Sequence, residues 1–477
     1  MTEATIPIPG PMALPLIGNL RDIDINNSIQ SFEKLSETYG PIFRLWLGGS
    51  ERIIICNYQL ANELYTRSEF HKKVTGSMEN LGKVIGKGIL TAYHGDPSWA
   101  SSRRTLNPAF TKGAIKEMFP EMLDIASQLV LKWARFGGEE SIDAQDSFTR
   151  LSMDTIALCT MGTRFNSFYR HDQHPFVQSF GAIFAEVARR SNRPEWYTAM
   201  MREANRKHDE NVQFVQQFCR DLVEERRANP TAKKDIFNGL VDRRDPVTGE
   251  QLPPDVIVDN MITFLFAGHD TTSGLLSFLV YYMIKHPDAR AKLQEEVDRV
   301  LAKQRGITVD ALNDLAYTRA CLRETLRLEP PSPGSVLAPF IDENDHVTIG
   351  GGKYMVRGGQ PTVIVFAKLH RDPETFGPDA NEFKPERMSD DKFKKLPKHA
   401  WKAFGHAPRN CIGNEFAMQQ ATLVAALLFH TFNFELVDPE YTLQYQPSLH
   451  RKAKDLLIRA TLRPHVDILA LQRDLCT

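Results

Sequence analysis

One segment near the middle of the chain constrains the fold more than any other. Met261–Ile284 is almost uninterruptedly apolar, yet a polar group that includes Asp270 lies at its centre. A charge at that depth would be costly in lipid, so the segment predicts a buried helix rather than a membrane span. Because Pro254 precedes it and Pro287 follows it, we expect one helix that ends at His286, about 45 Å long at 1.5 Å per residue.

The remaining pattern is mostly helical. Apolar residues recur with the helical period over much of 98–330, including Phe176–Arg190 and 194–227. Short apolar runs at Ile42–Leu47 and Arg52–Cys56 predict a two-stranded hairpin. We therefore expect a mainly α fold with a minor β-sheet region. Further predicted elements are helices at Leu315–Leu328 and Ile412–Thr431, strands at His346–Ile349 and Thr362–Val365, and a weakly structured stretch at 372–403.

Composition excludes several classes of protein. The net charge is −1, which is not typical of a general nucleic-acid binder. Six cysteines without a CxxC pair exclude a disulfide scaffold and favour a reducing compartment. The first twenty residues resemble neither a signal peptide nor a membrane anchor. We therefore expect a cytoplasmic protein with no nucleic-acid partner and no membrane anchor.

The strongest chemical signal is the sequence FGHAPRNCIGNEFA, residues 404–417, which places Cys411 in a loop just before a predicted helix. Free amides and the dipole at a helix N-terminus favour a thiolate over a thiol. Gly405 and Gly413 leave room for a flat ligand, and Arg409 places a cation beside it. A thiolate beneath a flat anionic ligand indicates thiolate-ligated haem. The alternative is a buried structural cysteine.

This loop resembles the haem-binding loop of the cytochromes P-450, FGxGxRxCxG, except that Ala407 replaces a glycine. The resemblance implies the P-450 fold, with haem b between the long central helix and the cysteine loop. It implies that Cys411 ligates the iron and that Phe404 packs near its sulfur. Trp99 and Arg103 match a WxxxR pattern that binds haem propionates. The implied cofactor-binding residues are Lys72, Trp99, Arg103, Phe404, Arg409 and Gly413.

A second motif, residues 267–271, lies in the middle of the central helix. A glycine beside a threonine hydroxyl can open the helix hydrogen bonding and admit a water. The motif resembles the [A/G]Gx[D/E]T motif of the same family, which implies that Thr271 and Asp270 deliver protons to dioxygen and that Ala267 keeps space above the iron. The alternative is a helix kink with a capped polar pair.

A third pattern consists of Glu324 and Arg327, three residues apart, followed by Arg387. Such a pair alone is usually a solvated surface bridge. Together the residues resemble the ExxR and PER motifs of the family. The resemblance implies a structural triad that holds the cysteine loop.

Several longer runs are similar to the haem domain of self-sufficient fatty-acid hydroxylases, fungal and bacterial, which are fused to a flavin reductase. They include AGHDTTSGLLSF and ETLRLEPPSP. The resemblance implies hydroxylation of unactivated C–H bonds, at subterminal positions of medium- and long-chain fatty acids, with O2 and electrons from NADPH. FMN, FAD and NADPH would act only through a diflavin reductase, fused or separate. We expect residues 1–464 to form a single haem-thiolate monooxygenase domain and 465–477 to form a tail that begins a linker.

The expected substrate pocket is less well defined. In the bacterial relatives an Arg and a Tyr clamp the substrate carboxylate, and these positions fall near Ser50 and Ile54 here. Carboxylate binding is therefore not expected there, and alkanes, alcohols or other apolar substrates stay open. Leu90 replaces a phenylalanine over the haem, and Ser332 falls at a second pocket position. Each could instead be ordinary packing.

A run of lysines precedes the cysteine loop and could dock an acidic flavoprotein, although such runs are usually solvated loops. Two further functions stay open. One is a peroxide-driven peroxygenase, and the other is a haem-binding sensor that would not need Asp270 and Thr271. The lysines are Lys392, Lys394, Lys395, Lys398 and Lys402.

Overall fold

Helices dominate the computed structural model, which describes residues 5–24, 27–170, 172–191, 193, 195–231, 235–304 and 307–466. The α-helices of this part are α1 (Ser28–Tyr39), α2 (Tyr58–Thr66), α3 (Ser77–Ile85), α4 (Pro97–Leu106), α5 (Lys112–Lys116), α6 (Phe119–Arg135), α7 (Ala144–Met161), α8 (Pro175–Ser191), α9 (Glu195–Met200), α10 (Arg202–Ala228), α11 (Ile236–Val241), α12 (Pro254–Lys285), α13 (Pro287–Gln304), α14 (Ala316–Leu328), α15 (Phe366–Leu369), α16 (Pro373–Phe376), α17 (Asp390–Lys394) and α18 (Asn414–Thr431).

The strands form three small sheets. In the largest, the order is β1-β2-β8-β5-β3, with β2 parallel to β8 and the other pairs antiparallel. The others have the orders β4-β10-β9 and β6-β7. The strands are β1 (Ile42–Leu47), β2 (Ser50–Ile55), β3 (Phe70–Lys72), β4 (Ile142–Asp143), β5 (Gly334–Pro339), β6 (His346–Ile349), β7 (Tyr354–Arg357), β8 (Thr362–Val365), β9 (Phe432–Leu436) and β10 (Leu457–Leu462). The expectation of a mainly α fold with a minor sheet region is confirmed.

The predicted central helix is α12, 32 residues from Pro254 to Lys285 with His286 as its C-cap. Apolar side chains on all sides of it are buried, for example Leu265, Phe266 and Phe278. A helix that is apolar all round lies in the interior of a protein, as expected. Within the described ranges, no helix combines the length and apolar character that crossing a bilayer requires.

Gly268 has a different role from the one that the sequence indicates. The helix α12 continues through Gly268, and the Thr271 hydroxyl donates to the carbonyl of Ala267 within it at 2.7 Å. A Cβ atom on Gly268 would lie 2.8 Å from Cγ1 of Ile156 on α7, closer than real Cβ contacts. The glycine is therefore required because α7 packs directly against α12 there.

Other differences concern element boundaries. The stretch predicted as one helix over 194–227 is two helices, because Met201 (φ −84°, ψ 62°) leaves the helical region. The last helix begins at Asn414 rather than Ile412, since Gly413 is its N-cap. Strands β5 and β7 were not predicted, because glycine and proline flank their short apolar runs. Of the predicted tail, 465–477, all but the first two residues lie outside the described part of the chain.

The predicted triad is assembled, with Glu324 and Arg327 fully buried and Arg387 partly buried. Arg327 donates to both carboxylate oxygens of Glu324 at 2.8 Å, and Arg387 Nε donates to Glu324 Oε1 at 3.3 Å. Arg327 also donates to the carbonyl of His370 at 2.8 Å, and His370 Nε2 accepts the N–H of Lys402 at 2.8 Å. Through His370, the triad is therefore connected to Lys402, which lies just before the cysteine loop.

Replacing Glu324 with Gln should lower the free energy of unfolding by about 3–5 kcal/mol, because the fully buried Arg327 then lacks its counter-charge. Urea-induced unfolding measures this difference. The control is Glu203→Gln, whose partner Arg206 is exposed like Glu203 itself, and it should cost less than about 1 kcal/mol. Equal costs for the two variants would contradict a stabilising triad.

Candidate active site

A cavity of about 1290 Å³ is bordered by α12, by the cysteine loop and by the sheet edge near β3. This volume exceeds the range typical of a single drug-sized ligand. The cavity wall brings together nearly all of the residues predicted for the site. They are Lys72, Leu90, Trp99, Arg103, Ala267, Thr271, Ser332, Phe404, Arg409, Cys411 and Gly413.

Cys411 lies in a closed loop before α18. Its N–H donates to the carbonyl of Phe404 at 2.8 Å, and the N–H of Gly405 donates to the carbonyl of Lys402 at 2.8 Å. Gly405 has a φ of +75°, in the left-handed region that favours glycine. A Cβ atom on Gly413 would lie 3.9 Å from the sulfur of Cys411. The loop therefore closes on itself and leaves the sulfur at the cavity wall.

The Cys411 thiol differs from the other cysteines of the described residues, because four are buried and Cys411 alone is accessible. Burial within the loop nevertheless raises its pKa, although the N–H of Gly413 and the charge of Arg103 act to lower it. The sequence predicted the opposite balance, since it considered the helix terminus and not the enclosure of the loop. Coordination to a metal ion deprotonates a thiol outright, so a bound metal would supply the thiolate that these surroundings disfavour.

Three cations border the cavity around Cys411. Arg103 donates to the carbonyl and side-chain oxygens of Asn410, each at 2.9 Å. The guanidinium of Arg409 lies 4.0 Å from the ring centre of Trp99, a cation–π contact. Lys72 Nζ donates to the carbonyl of Leu90 at 2.6 Å. Burial lowers the pKa of Lys72 to about 8 and that of Arg409 to about 10.

The hydrogen-bond partners of these three cations are neutral, although the charge of Asp96 also acts on Arg409. In the part of the chain that the structure describes, neither Lys72, Arg103 nor Arg409 forms a salt bridge with a carboxylate, and each donates to neutral oxygens. Partly buried cations that form no salt bridge are costly. A flat ligand with two carboxylates and a thiolate-binding metal therefore fits this set of donors, and haem has that chemistry.

Thr271 and Asp270 face different surroundings. Thr271 borders the cavity, and its hydroxyl donates to the carbonyl of Ala267 at 2.7 Å. Asp270 does not border the cavity. Its Oδ1 lies 2.7 Å from Nζ of Lys452 and 3.0 Å from Nε2 of His269. Burial alone would raise the pKa of Asp270, but His269 and Lys452 hold it well below its ordinary value, so the carboxyl is ionised.

His450, which was not predicted from the sequence, lies between the cavity and the carboxylate of Asp270. It borders the cavity, its ring packs against Phe266 at 5.0 Å between centroids, and its Nδ1 lies 3.7 Å from Oδ2 of Asp270. His450 and Lys452 come from an irregular segment before β10. Neither belongs to a motif or a periodic pattern, so the sequence carries no signal for them.

Arg52 is a second residue that the sequence analysis missed. Ser50 and Ile54 do not border the cavity, but Arg52 between them does. Its Nε lacks a hydrogen-bond partner, and burial lowers its pKa although Glu79 acts to raise it. Strand alternation places residues 50, 52 and 54 on one face, and this pattern could have identified Arg52.

The lysine run is mostly solvent-facing. Lys392, Lys394, Lys395 and Lys398 are exposed. Lys402 differs, because it is partly buried and its Nζ lies 5.6 Å from the ring centre of Tyr65. Burial and the charge of Lys398 lower the pKa of Lys402 to about 8. The exposed basic surface therefore consists of the first four lysines, next to the cysteine loop in sequence.

Comparison with known proteins agrees with this geometry. The Cytochrome P450 family profile matches residues 8–458. A bifunctional cytochrome P450/NADPH–P450 reductase of Aspergillus oryzae is 47% identical over 98% of this chain and 42% of its own length. A self-sufficient cytochrome P450 monooxygenase of Exserohilum turcicum is 44% identical over 96% of this chain and 42% of its own length.

The chain therefore belongs to the cytochrome P450 family, which confirms the resemblance. Members of this family are oxidoreductases of the haem-thiolate monooxygenase class. The chain spans less than half the length of these curated relatives, whose names describe a P450 combined with a reductase.

Replacing Asp270 with Asn should lower the free energy of unfolding by about 3–5 kcal/mol near neutral pH, because Lys452 then lacks its partner. Since the folded-state pKa of Asp270 is depressed, its stabilisation is present above the ordinary carboxyl pKa of about 3.9 and is lost as the pH falls through the folded value. The difference from wild type should therefore shrink only below about pH 4.

Urea unfolding at several pH values measures this effect. The control Asp391→Asn removes an exposed carboxylate on α17 and should change stability by less than about 0.5 kcal/mol. A pH-independent difference for Asp270→Asn would contradict the ion pair.

Proposed function

We propose that residues 1–464 act as one haem-thiolate monooxygenase domain that hydroxylates unactivated C–H bonds of fatty acids, at subterminal positions. O2 is the oxidant, and electrons come from NADPH through a diflavin reductase. The observation that carries the proposal is one accessible thiol, Cys411, on the same cavity wall as the hydroxyl of Thr271 and three cations that, among the described residues, form no salt bridge.

Different cavity residues would bind different parts of the haem. Cys411 would ligate the iron, and Phe404 beside it packs against Trp401 at 5.8 Å between centroids, which stiffens the loop. Lys72, Trp99, Arg103 and Arg409 would bind the two carboxylates. When bound, the haem supplies a thiolate-ligated iron that activates dioxygen.

The residues of α12 would supply protons and space. Ala267 is small, so it leaves room in the cavity next to Thr271. The Thr271 hydroxyl donates its one proton to the carbonyl of Ala267, so its oxygen is free to accept a hydrogen bond from a water in the cavity. Passing a proton onward would require the hydroxyl to rotate away from that carbonyl. Asp270 acts from behind the cavity, since its carboxylate contacts His269 and Lys452, so its role is to position this part of the helix.

Arg52 supports a substrate that carries a carboxylate. Its guanidinium borders an otherwise largely apolar cavity, and one of its donors is unpaired. A fatty acid held there by its carboxylate would extend its chain along the cavity wall past Leu90, which leaves the far end of the chain for oxidation. This geometry favours fatty acids over the alkanes and alcohols that the sequence left open.

The exposed lysines support a separate proposal for electron supply. A flavin reductase that presents acidic groups would find four exposed lysines close in sequence to the cysteine loop. The curated relatives combine a P450 with an NADPH–P450 reductase, and the same combination would serve this chain. FMN, FAD and NADPH would then bind to the reductase.

Replacing Cys411 with Ser should abolish the absorption band that is typical of reduced, carbon-monoxide-bound thiolate haem, because the sulfur ligand is lost. The spectrum of the haem-reconstituted chain is the measurement. Cys56→Ala, in a separate apolar cluster, is the control and should keep the band. A band of this type that persists in Cys411→Ser would overturn the proposal. Peroxide-only turnover equal to that with NADPH and reductase would favour a peroxygenase instead.

Replacing Arg52 with Leu should raise the KM for a fatty acid about tenfold, because a charge-assisted hydrogen bond is lost, and should leave the KM for the matching fatty alcohol nearly unchanged. Steady-state kinetics on both substrates measure the split. Arg44→Leu, an exposed arginine on the neighbouring strand, is the control. An equal rise for acid and alcohol would show that Arg52 does not bind the carboxylate.

A further inference from the structure

Residues 86–93, here named the wall segment, connect α3 to the region before α4 and form part of the cavity wall. Ile89 and Leu90 border the cavity. The segment has no regular secondary structure beyond turns, so its position depends on contacts with other elements. Backbone groups of the segment are bound by side chains from α12 on one side and by Lys72 and Arg409 on the other.

The contacts from α12 are two consecutive side chains. Asp259 Oδ2 accepts the N–H of Lys87 at 2.8 Å, and Asn260 Oδ1 accepts the N–H of Ile89 at 3.1 Å. Asn260 is fully buried and donates to Val256 O at 2.8 Å, which keeps its amide oriented. The two acceptors thus bind alternate amides of the wall segment directly before Leu90.

Two glycines bring the wall segment unusually close to α12. A Cβ atom on Gly86 would lie 2.2 Å from Oδ2 of Asp259, and one on Gly88 would lie 2.1 Å from Oγ1 of Thr263. Both distances are shorter than any real Cβ contact, so only glycine permits this approach. The wall segment and α12 are therefore complementary in shape as well as in hydrogen bonding.

We propose that Asp259 and Asn260 are positioning residues that determine the site selectivity of hydroxylation, by fixing how far Leu90 projects into the cavity. This inference rests on the proposed function. Both residues act through the backbone of the wall segment, and neither needs to contact substrate.

The consequence of loosening this attachment follows from the geometry. Loss of one acceptor leaves a backbone N–H near the helix without a partner, which favours displacement of the wall segment away from α12. Leu90 would move with the wall segment. Its movement would change which carbon of a bound fatty acid can approach the part of the cavity next to Cys411, where the haem would be held. A displacement of about 1 Å is enough to alter reaction rates strongly.

The test compares product distributions from one saturated fatty acid, dodecanoic acid, oxidised by the reductase-supported holoenzyme. Asp259→Ala and Asn260→Val remove the acceptors, whereas Asp259→Asn keeps one. Leu90→Ala gives the direction of change when the wall side chain itself is removed. Asp255→Asn is the matched control, because Asp255 is an exposed carboxylate one turn earlier on α12.

We expect Asp259→Ala and Asn260→Val to shift the ratio of hydroxylated positions by about twofold or more, in the direction of Leu90→Ala. Asp259→Asn and Asp255→Asn should keep the wild-type ratio. Hydrogen exchange provides a readout independent of activity. The amide of Lys87 in Asp259→Ala, and that of Ile89 in Asn260→Val, should exchange about tenfold faster than in wild type.

Two outcomes separate the inference from the function on which it rests. An unchanged ratio in both acceptor variants, with a changed ratio in Leu90→Ala, would overturn the inference and leave the monooxygenase proposal intact. No hydroxylated product from the wild type would overturn the proposed function, and unchanged exchange at Lys87 and Ile89 would then also reject the attachment. An unchanged ratio in Leu90→Ala would reject both the wall role of Leu90 and the inference.

Discussion

The close approach of α7 to α12 is the contact on which the rest of the structure depends. It is possible only because Gly268 has no side chain where Ile156 packs. The packing fixes the rotation of α12 about its axis. That rotation directs Ala267 and Thr271 to the cavity and Asp270 to Lys452 and His269. A larger residue at 268 would move the helix and every group on it together.

Because α12 is continuous, a single rigid element carries functions that are far apart. Asp259 and Thr271 are twelve residues apart in the sequence, which corresponds to about 18 Å along a helix. One end binds the wall segment and the middle presents a hydroxyl. A rigid helix transmits position better than a loop would, so the depth of the cavity and the placement of its polar group are set by the same packing.

Buried charge is handled differently on the two sides of the cavity. Behind α12, Asp270 faces cationic partners, so its charge is compensated within the protein. Near Cys411, the described cations Lys72, Arg103 and Arg409 donate hydrogen bonds to neutral oxygens and form no salt bridge. Neutral acceptors offset part of the cost of burial but supply no counter-charge. Behind α12, the charges of the protein therefore compensate one another. Near Cys411, the cations leave a positive region that is complementary to a bound anion.

The sequence predicted those features that local patterns encode. The hairpin, the central helix and the cavity residues with family motifs all fall where expected. It failed where tertiary contacts decide. From the sequence, Gly268 predicts a local opening of the helix. The side chain that leaves no room for a Cβ atom at this position is Ile156 on α7, over a hundred residues earlier. His450 lies in an irregular segment without periodicity, so only the fold brings it to Asp270.

The wall segment shows how these constraints combine. Lys72 and Arg409 bind the carbonyls of Leu90 and Ala92, and these are two of the described cations that form no salt bridge. Asp259 and Asn260 bind its amides from the opposite side. Carbonyl groups of the wall segment therefore accept hydrogen bonds from the cations, and its N–H groups donate to α12. Because a carbonyl cannot donate and an N–H cannot accept, the two sets of contacts cannot replace each other. Leu90 lies between these two sets of contacts, so its position depends on both the charged end of the cavity and the packing of the central helix.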